Sequence, residues 1–95
     1  MPAYLIADVN VENQDSYAEY RRQVLPLIER YGGRFIVRGG AHETLEGSWR
    51  PARLVVIEFP SMAVLKEWYC SPEYEKLIAL RQTASRGSLV AVEGA

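Results

Sequence analysis

Apolar and polar residues alternate along four stretches of the chain, which predicts four β-strands. The first covers 3–9, and runs rich in β-branched and aromatic residues at 34–38 and 53–59 predict the next two. Residues 88–93 predict the last strand. Because strand 53–59 is apolar on both faces apart from Glu58, we expect helices to cover one face and a second sheet to cover the other.

Between the strands, apolar residues recur at helical spacing. The first helix is predicted to begin after Asn13 or Asp15 and to end at Gly32-Gly33. Its apolar side consists of Tyr17, Tyr20, Val24, Leu27, Ile28 and Tyr31. Ser61 caps a short helix that runs to about Tyr69, and Ser71-Pro72 starts a further helix that runs to about Ser85.

Two registers are compatible with the central hairpin. In one, residues 39–51 are all loop and Arg34 lies opposite Glu58, with Arg38 opposite Leu54. In the other, Gly39-Gly40 is a bulge, the strand resumes at 43–47 and a tight turn follows. We favour the second register because hairpin loops usually contain only about 2–5 residues.

The order strand, helix, strand, strand, helix, strand predicts an α+β fold of the ferredoxin-like βαββαβ type, as one domain over residues 1–95. Helices would cover one face of its antiparallel sheet. The other face is predicted to carry Tyr4, Ile6, Ile36, Leu54, Val56, Leu89 and Ala91. Such a surface is too apolar to face water, so we expect a homodimer whose sheets pack face to face.

Composition narrows the functional classes. The chain has 95 residues, a net charge of -1 and no basic run, which argues against binding nucleic acid or an anionic membrane. An RNA-binding sheet of the same topology would need a basic-Gly-aromatic run, which neither central strand has. No membrane span is expected. The single cysteine, Cys70, excludes an internal disulfide, is expected to be a small buried residue, and favours a reducing, cytoplasmic location.

Several short motifs together carry a family resemblance: Tyr31-Gly-Gly33, Arg38-Gly-Gly40, Leu45-Glu-Gly47 with Trp49 and Pro51, Val56-Ile-Glu-Phe-Pro-Ser61, Trp68-Tyr69, Ser71-Pro-Glu-Tyr74 and Leu80-Arg81. The chain resembles a bacterial domain-of-unknown-function family, the one numbered thirteen-thirty, in the dimeric α+β barrel superfamily. Related barrels include cofactor-free monooxygenases, lactone isomerases and haem proteins. The resemblance therefore implies a cavity between sheet and helices without fixing its use.

That family usually has alanine near the middle of its second helix. This chain has Val64 and Leu65 there, beside Ala63. We expect these bulkier side chains to narrow any pocket beneath that helix.

Three residues are candidates for catalysis. Glu58 interrupts an apolar strand and would act as a general base, although we favour a structural ion pair with a nearby arginine. Arg38 has the planar donor geometry that suits a carboxylate or enolate oxygen, or it pairs with an acidic residue. His42 is the only histidine and would move a proton, although a solvated loop position is the simpler interpretation.

A set of residues near the predicted helix break is a candidate for substrate binding: Trp49, Trp68, Tyr69, Tyr74 and Arg81. The rings would line a pocket for a flat apolar compound, and the tyrosine hydroxyls would donate hydrogen bonds. The alternative, which we favour, is that most of them are core or dimer contacts. Trp68 and Tyr69 are adjacent on a helix, so at most one of them faces a shared cavity.

The sequence indicates a homodimeric small-molecule-binding protein and identifies no reaction. One hypothesis is a cofactor-independent, monooxygenase-like or isomerase-like enzyme acting on a small carbonyl or phenolic compound. The alternative is a structural or regulatory dimer without chemistry, in which the polar cluster sets the register of the interface. We expect no cofactor and no metal site, because one histidine and one distant cysteine do not have the spacing of zinc ligands.

Overall fold

The computed structural model describes all 95 residues and confirms the ferredoxin-like α+β fold. Four antiparallel strands form one sheet in the order β2-β3-β1-β4, and three helices lie on one of its faces. No helix is both long and apolar enough to cross a membrane. The elements in chain order are β1 Ala3–Val11, α1 Gln14–Arg30, β2 Arg34–Arg38, β3 Leu54–Phe59, α2 Met62–Tyr69, α3 Pro72–Ala84 and β4 Ser85–Glu93.

The hydrophobic core lies between the sheet and the helices. Alternate residues of β1, starting at Ala3, and of β3, starting at Val55, are buried beneath the helices. The apolar stripe of α1 packs onto them as predicted, although Tyr31 at its end is only partly buried. Trp68, Tyr74 and Phe59 are the largest side chains that the core excludes from solvent completely.

Side-chain caps fix where the helices begin, and all three lie at predicted positions. Asn13 Oδ1 accepts a hydrogen bond from Ser16 N at 3.0 Å, and Ser61 Oγ accepts one from Val64 N at 3.2 Å. At the junction of α2 and α3, Ser71 Oγ accepts from Tyr74 N at 3.1 Å and donates to Trp68 O at 2.8 Å. Ser71 is buried there, whereas Cys70 is exposed, so the prediction of a buried cysteine is wrong.

The favoured hairpin register is also wrong. Residues 43–47 form no strand, and Arg34 lies opposite Glu58 as in the long-loop register. The bulge occurs at Ile36 instead of Gly39-Gly40, and it shifts Arg38 to a position opposite Val55.

A long loop is tolerated because a side chain on β1 anchors it. Asp8 accepts hydrogen bonds from Ala52 N and from Trp49 Nε1, both at 2.9 Å. His42 Nε2 lies 2.9 Å from Pro51 O and links the two sides of the loop. The contacts with Ala52 N and Pro51 O satisfy backbone groups that a strand ladder would otherwise have to pair.

The two faces of β4 are the reverse of those predicted: the residues expected on the uncovered side of the sheet face the helices. Leu89 pairs with Ala7 and Ala91 pairs with Leu5, and both therefore point toward the helices. Val90 and Val92 take their places on the uncovered side of the sheet. We call this side the open face; it carries Tyr4, Ile6, Arg34, Ile36, Val37, Leu54, Val56, Glu58, Val90 and Val92.

Replacing the buried cap Ser71 with alanine is expected to lower the free energy of unfolding by about 1–2 kcal/mol, because both hydrogen bonds of its hydroxyl are lost. Urea denaturation followed by circular dichroism measures the difference. Ser48→Ala, on the exposed loop, is the matched control and should change stability by less than about 0.5 kcal/mol. Equal effects of the two substitutions would contradict a capping role for Ser71.

Candidate functional site

A cavity of about 50 Å³ lies between the helix-covered face of the sheet and helices α1 and α3. Residues from all four strands and both helices line it, and 12 of the 16 are aliphatic or aromatic. The remaining four, which we call the cavity arginines, are Arg21, Arg38, Arg53 and Arg81. Helix α2 contributes no lining residue, so the prediction that Val64 and Leu65 narrow any pocket beneath that helix is not tested by this cavity.

The topology of the fold brings the cavity arginines to one end of the sheet. Arg38 is the last residue of β2, and Arg53 directly precedes β3. Because β2 and β3 are antiparallel neighbours, both residues lie at the same end of the sheet. Arg21 lies in the first half of α1, which follows β1, and Arg81 lies in the last turn of α3, which leads into β4. We call this end of the sheet, where β1 ends, the arginine end of the cavity.

Aromatic rings lie close to three of the four guanidinium groups. The Arg38 guanidinium carbon lies 4.0 Å from the centroid of the Phe35 ring, and those of Arg21 and Arg53 each lie 6.0 Å from the centroid of Tyr17. The N–H donors of a guanidinium lie in its plane. A ring beneath the plane therefore supports the cation and leaves its donor edge free.

None of the cavity arginines has a carboxylate partner. The four ion pairs of the structure use other arginines, namely Arg22, Arg30, Arg34 and Arg86. Arg21 and Arg38 are exposed at the rim, whereas Arg53 and Arg81 are half-buried. The Nε atoms of Arg53 and Arg81 are buried and have no hydrogen-bond partner, which is unusual for buried donors.

Three tyrosines, Tyr17, Tyr20 and Tyr74, provide the other polar groups of the cavity. The hydroxyls of Tyr20 and Tyr74 lie 2.8 Å apart and are hydrogen-bonded. Burial raises the pKa of both phenols, so both remain protonated at neutral pH. Since one hydroxyl donates to the other, the proton of the accepting hydroxyl is available to a ligand.

Of the residues predicted from sequence, Arg38, Tyr74 and Arg81 line the cavity together. Trp68 does not, because it is fully buried against Phe59 and Tyr74, with ring centroids 5.2 and 4.1 Å away. Tyr69 is 37% exposed and lines a separate surface groove beside Arg81.

The structure places the other predicted residues elsewhere. Glu58 is on the open face, separated from Arg38 by the sheet, and accepts hydrogen bonds from Arg34 Nε at 2.8 Å and Tyr4 Oη at 3.1 Å. His42 is on the exposed loop. Trp49 is 59% exposed and donates to Asp8, whose pKa this hydrogen bond lowers together with the one from the Ala52 amide.

The sequence interpretation missed Arg21, Arg53, Tyr17 and Tyr20 as cavity residues. A signal was available for each of the two arginines. Arg21 follows Tyr17 by four residues and therefore lies within the apolar stripe of α1. Arg53 is two residues from buried Val55 and therefore lies on the same face of the strand. When the spacing of apolar residues predicts that a position faces the core, a charged side chain at that position needs a partner.

Acidic and sulfur ligands are dispersed over the chain. No group of three or more histidine, cysteine, aspartate or glutamate side chains is close enough to hold a metal ion. The cavity lining contains no carboxylate and no imidazole.

Comparison with known proteins places the geometry in context. The model of a domain of unknown function, DUF1330, matches residues 2–95. No curated protein has a significantly similar sequence. A protein of unknown function from Rhodopseudomonas palustris has a similar structure, with a TM-score of 0.81 and 23% identity over 99% of this chain and 82% of that chain.

Two further structures extend the comparison. A dimeric ferredoxin-like protein of unknown function from Jannaschia sp. CCS1 has a TM-score of 0.74 and 16% identity over 99% of this chain and all of that chain. SnoaB, a cofactor-independent oxygenase from Streptomyces nogalater, has a TM-score of 0.64 and 8% identity over 99% of this chain and 93% of that chain. At these identities the similarities show the fold alone.

The Glu58 ion pair predicts a dependence of stability on pH. Donation by Arg34, with a second hydrogen bond from Tyr4, lowers the pKa of Glu58 in the folded chain. The ionised Glu58 side chain therefore stabilises the folded chain fully above its unfolded-state pKa of about 4.3. This stabilisation is lost as the pH falls through the pKa of Glu58 in the folded chain.

We expect Glu58→Gln to be less stable than the parent protein at pH 7 and the difference to shrink as the pH falls toward 3. Urea unfolding at pH 7, 5 and 3 measures this trend. Glu67→Gln, which removes an exposed carboxylate without an ion pair, should show no such trend. A constant difference across the three pH values would contradict the assignment.

Proposed function

The chain belongs to the DUF1330 family, and we propose that it forms a homodimer that binds a small organic molecule between its sheet and helices. The observation that carries this proposal is the cavity itself. Its lining combines an apolar interior with donor groups that no protein atom satisfies. Ligand sites are typically apolar with a few polar groups that orient the ligand.

The size of the cavity limits how a ligand is held. Typical ligand pockets enclose roughly 300–1,000 Å³, whereas this cavity has about 50 Å³. An open surface groove of about 610 Å³ adjoins the cavity and shares Val9, Tyr17, Arg21 and Arg53 with it. We therefore propose that a small apolar group enters the cavity and that the rest of the ligand lies in the groove.

The open face supports the homodimer. Val90 is 58% exposed, and Ile36, Val92 and Val37 are each exposed by 39% or more. These side chains form one apolar surface with the half-buried residues of β1 and β3. Face-to-face packing of two sheets would bury this surface, with the Tyr4, Arg34 and Glu58 cluster at one end of the interface. The Jannaschia neighbour is described as dimeric.

For the chemistry, we propose a cofactor-independent reaction of a carbonyl or phenolic compound. The neighbour SnoaB is described as a cofactor-independent oxygenase. In this chain Arg38 would hold a developing oxygen anion and the Tyr20–Tyr74 pair would donate a hydrogen bond to it. Because Glu58 and His42 lie outside the cavity, we propose a role for Glu58 in the interface and none for His42 in proton transfer.

The second candidate is a structural or regulatory dimer without a ligand. The small cavity volume favours it, because a void of this size holds only a few water molecules. The two candidates share the dimer and differ in whether a small molecule binds to the cavity.

The dimer is expected to dissociate when a charge is placed on the open face. Val90→Glu should convert the protein from dimer to monomer, because the carboxylate would be buried without a partner between the sheets. Sedimentation velocity at micromolar concentration measures the change. Ala79→Glu, at an exposed position of α3, is the control and should remain dimeric. A parent protein that sediments as a folded monomer would contradict the proposal.

Filling the cavity is expected to prevent ligand binding without unfolding the protein. Ala7 lines the cavity from β1, and in Ala7→Val the added methyl groups would occupy the void. Calorimetric titration with a panel of small phenols and carbonyl compounds should show saturable binding that this substitution weakens at least tenfold. The control Ala63→Val, on the exposed side of α2, should bind like the parent. No binding of any panel member would favour the structural dimer.

A further inference from the structure

We infer that the ligand of this cavity is an amphipathic carboxylate, whose charged group is bound by the cavity arginines and whose apolar part enters the core. This inference rests on the proposed small-molecule function and specifies the chemical class of the ligand. It follows from three observations at the arginine end: an uncompensated charge, donors that are held in place without partners, and an apolar interior behind them.

The charge balance at the arginine end is the first observation. Four arginines line one cavity, and none of the four ion pairs of the chain compensates their charge. The adjoining groove contains one carboxylate, Asp15, which lies in the first turn of α1 and does not line the cavity. Like charges gathered beside an apolar wall repel one another more strongly than in open water. An anion at this position would relieve that repulsion.

The local packing of Arg53 is the second observation. Its guanidinium lies so close to Gly39 that a Cβ there would approach Arg53 Cζ and Nη1 to 2.6 Å. Gly39 also has a positive φ of 69°, which disfavours other residues. The centroid of the Tyr17 ring lies 6.0 Å from the Arg53 guanidinium carbon. The guanidinium therefore packs directly against Gly39, yet the buried Nε of Arg53 has no acceptor.

The form of the unsatisfied donors indicates which anion fits. Guanidinium groups present two parallel N–H donors in one plane, a geometry that matches the two oxygens of a carboxylate. Arg38 rests on Phe35 with this donor edge free, and Arg53 and Arg81 each have an unpaired buried Nε. A neutral alcohol or ketone has one acceptor oxygen and would leave several of these donors unpaired.

The lining behind the arginines defines the rest of the ligand. The other 12 lining residues are aliphatic or aromatic, and no acidic side chain is present to accept a cationic or strongly polar group. A short hydrocarbon or aromatic group suits this interior. The ligand that matches both ends is therefore a carboxylate with a small apolar substituent.

The test uses matched pairs of probes that differ in charge and little in shape. Benzoate is compared with benzamide, and 3-phenylpropionate with 3-phenylpropionamide, by calorimetric titration of the full chain at low and high salt. We expect each carboxylate to bind at least tenfold more tightly than its amide. Added salt should weaken binding of the carboxylates and leave that of the amides nearly unchanged.

Substitutions of individual arginines test where the carboxylate group of the ligand binds. Arg38→Gln and Arg53→Gln should each weaken carboxylate binding by roughly 10- to 100-fold, since each removes charge-assisted hydrogen bonds. Arg22→Gln, which removes an arginine that is ion-paired with Glu19 outside the cavity, is the control and should have no effect. Gly39→Ala should reproduce the loss seen in Arg53→Gln, because the added Cβ displaces the Arg53 guanidinium.

The outcomes separate this inference from the proposal on which it depends. Equal affinity for carboxylates and amides, with Ala7→Val still weakening the binding of both, would overturn the anion inference and retain the cavity as a binding site. Carboxylate binding that Arg22→Gln weakens as much as Arg38→Gln would also overturn the inference, because the attraction would then be a general surface effect. Absence of binding by every carboxylate and amide would overturn the inference, and absence of binding by the phenols and carbonyl compounds as well would reject the small-molecule function.

Discussion

The antiparallel pairing of β1 with β3 on one side and β4 on the other is the interaction on which the rest of the structure depends. Its register places Ala3 beside Phe59 and Glu93, and it aligns one set of alternate residues of three strands toward the helices. This alignment creates the core that α1 and α3 cover. A shift by one residue in either pairing would exchange the two faces of that strand.

At the cavity beside this core, the packing that stabilises the fold conflicts with the presence of charged side chains. Packing favours apolar side chains beneath the helices, whereas four arginines occupy positions around the same space. Cation–aromatic contacts of Arg21, Arg38 and Arg53 with Tyr17 and Phe35 offset part of the cost of bringing three of these charges near the core. They leave the donor edges unsatisfied, which is the kind of local conflict expected where a protein binds a ligand.

The two faces of the sheet can therefore serve separate roles. The open face has an apolar centre and a satisfied ion pair between Arg34 and Glu58, which suits contact with a second copy of the chain. The covered face has the cavity and the unsatisfied arginines.

Local sequence patterns were sufficient for the order and type of the elements, since the period of apolar residues and the capping residues act over a few positions. Helix starts after Asn13, Ser61 and Ser71 are examples, because each cap binds a backbone amide three residues away. The apolar character of both faces of β3 similarly indicated two covered faces and hence the dimer prediction. About the candidate site, sequence identified Arg38, Tyr74 and Arg81, but it grouped them with residues from elsewhere.

Only the tertiary structure decided which of these side chains meet. The bulge at Ile36 turns Arg38 toward the helices, and the pairing of Leu89 with Ala7 determines which side of β4 faces the core. Both depend on contacts between residues far apart in the chain, including the hydrogen bonds by which Asp8 holds the loop before β3. The sequence by itself determined the elements and their apolar faces because those follow from local periodicity. The placement of Arg38 and Glu58 on opposite sides of the sheet depends on strand register, which only the folded chain determines.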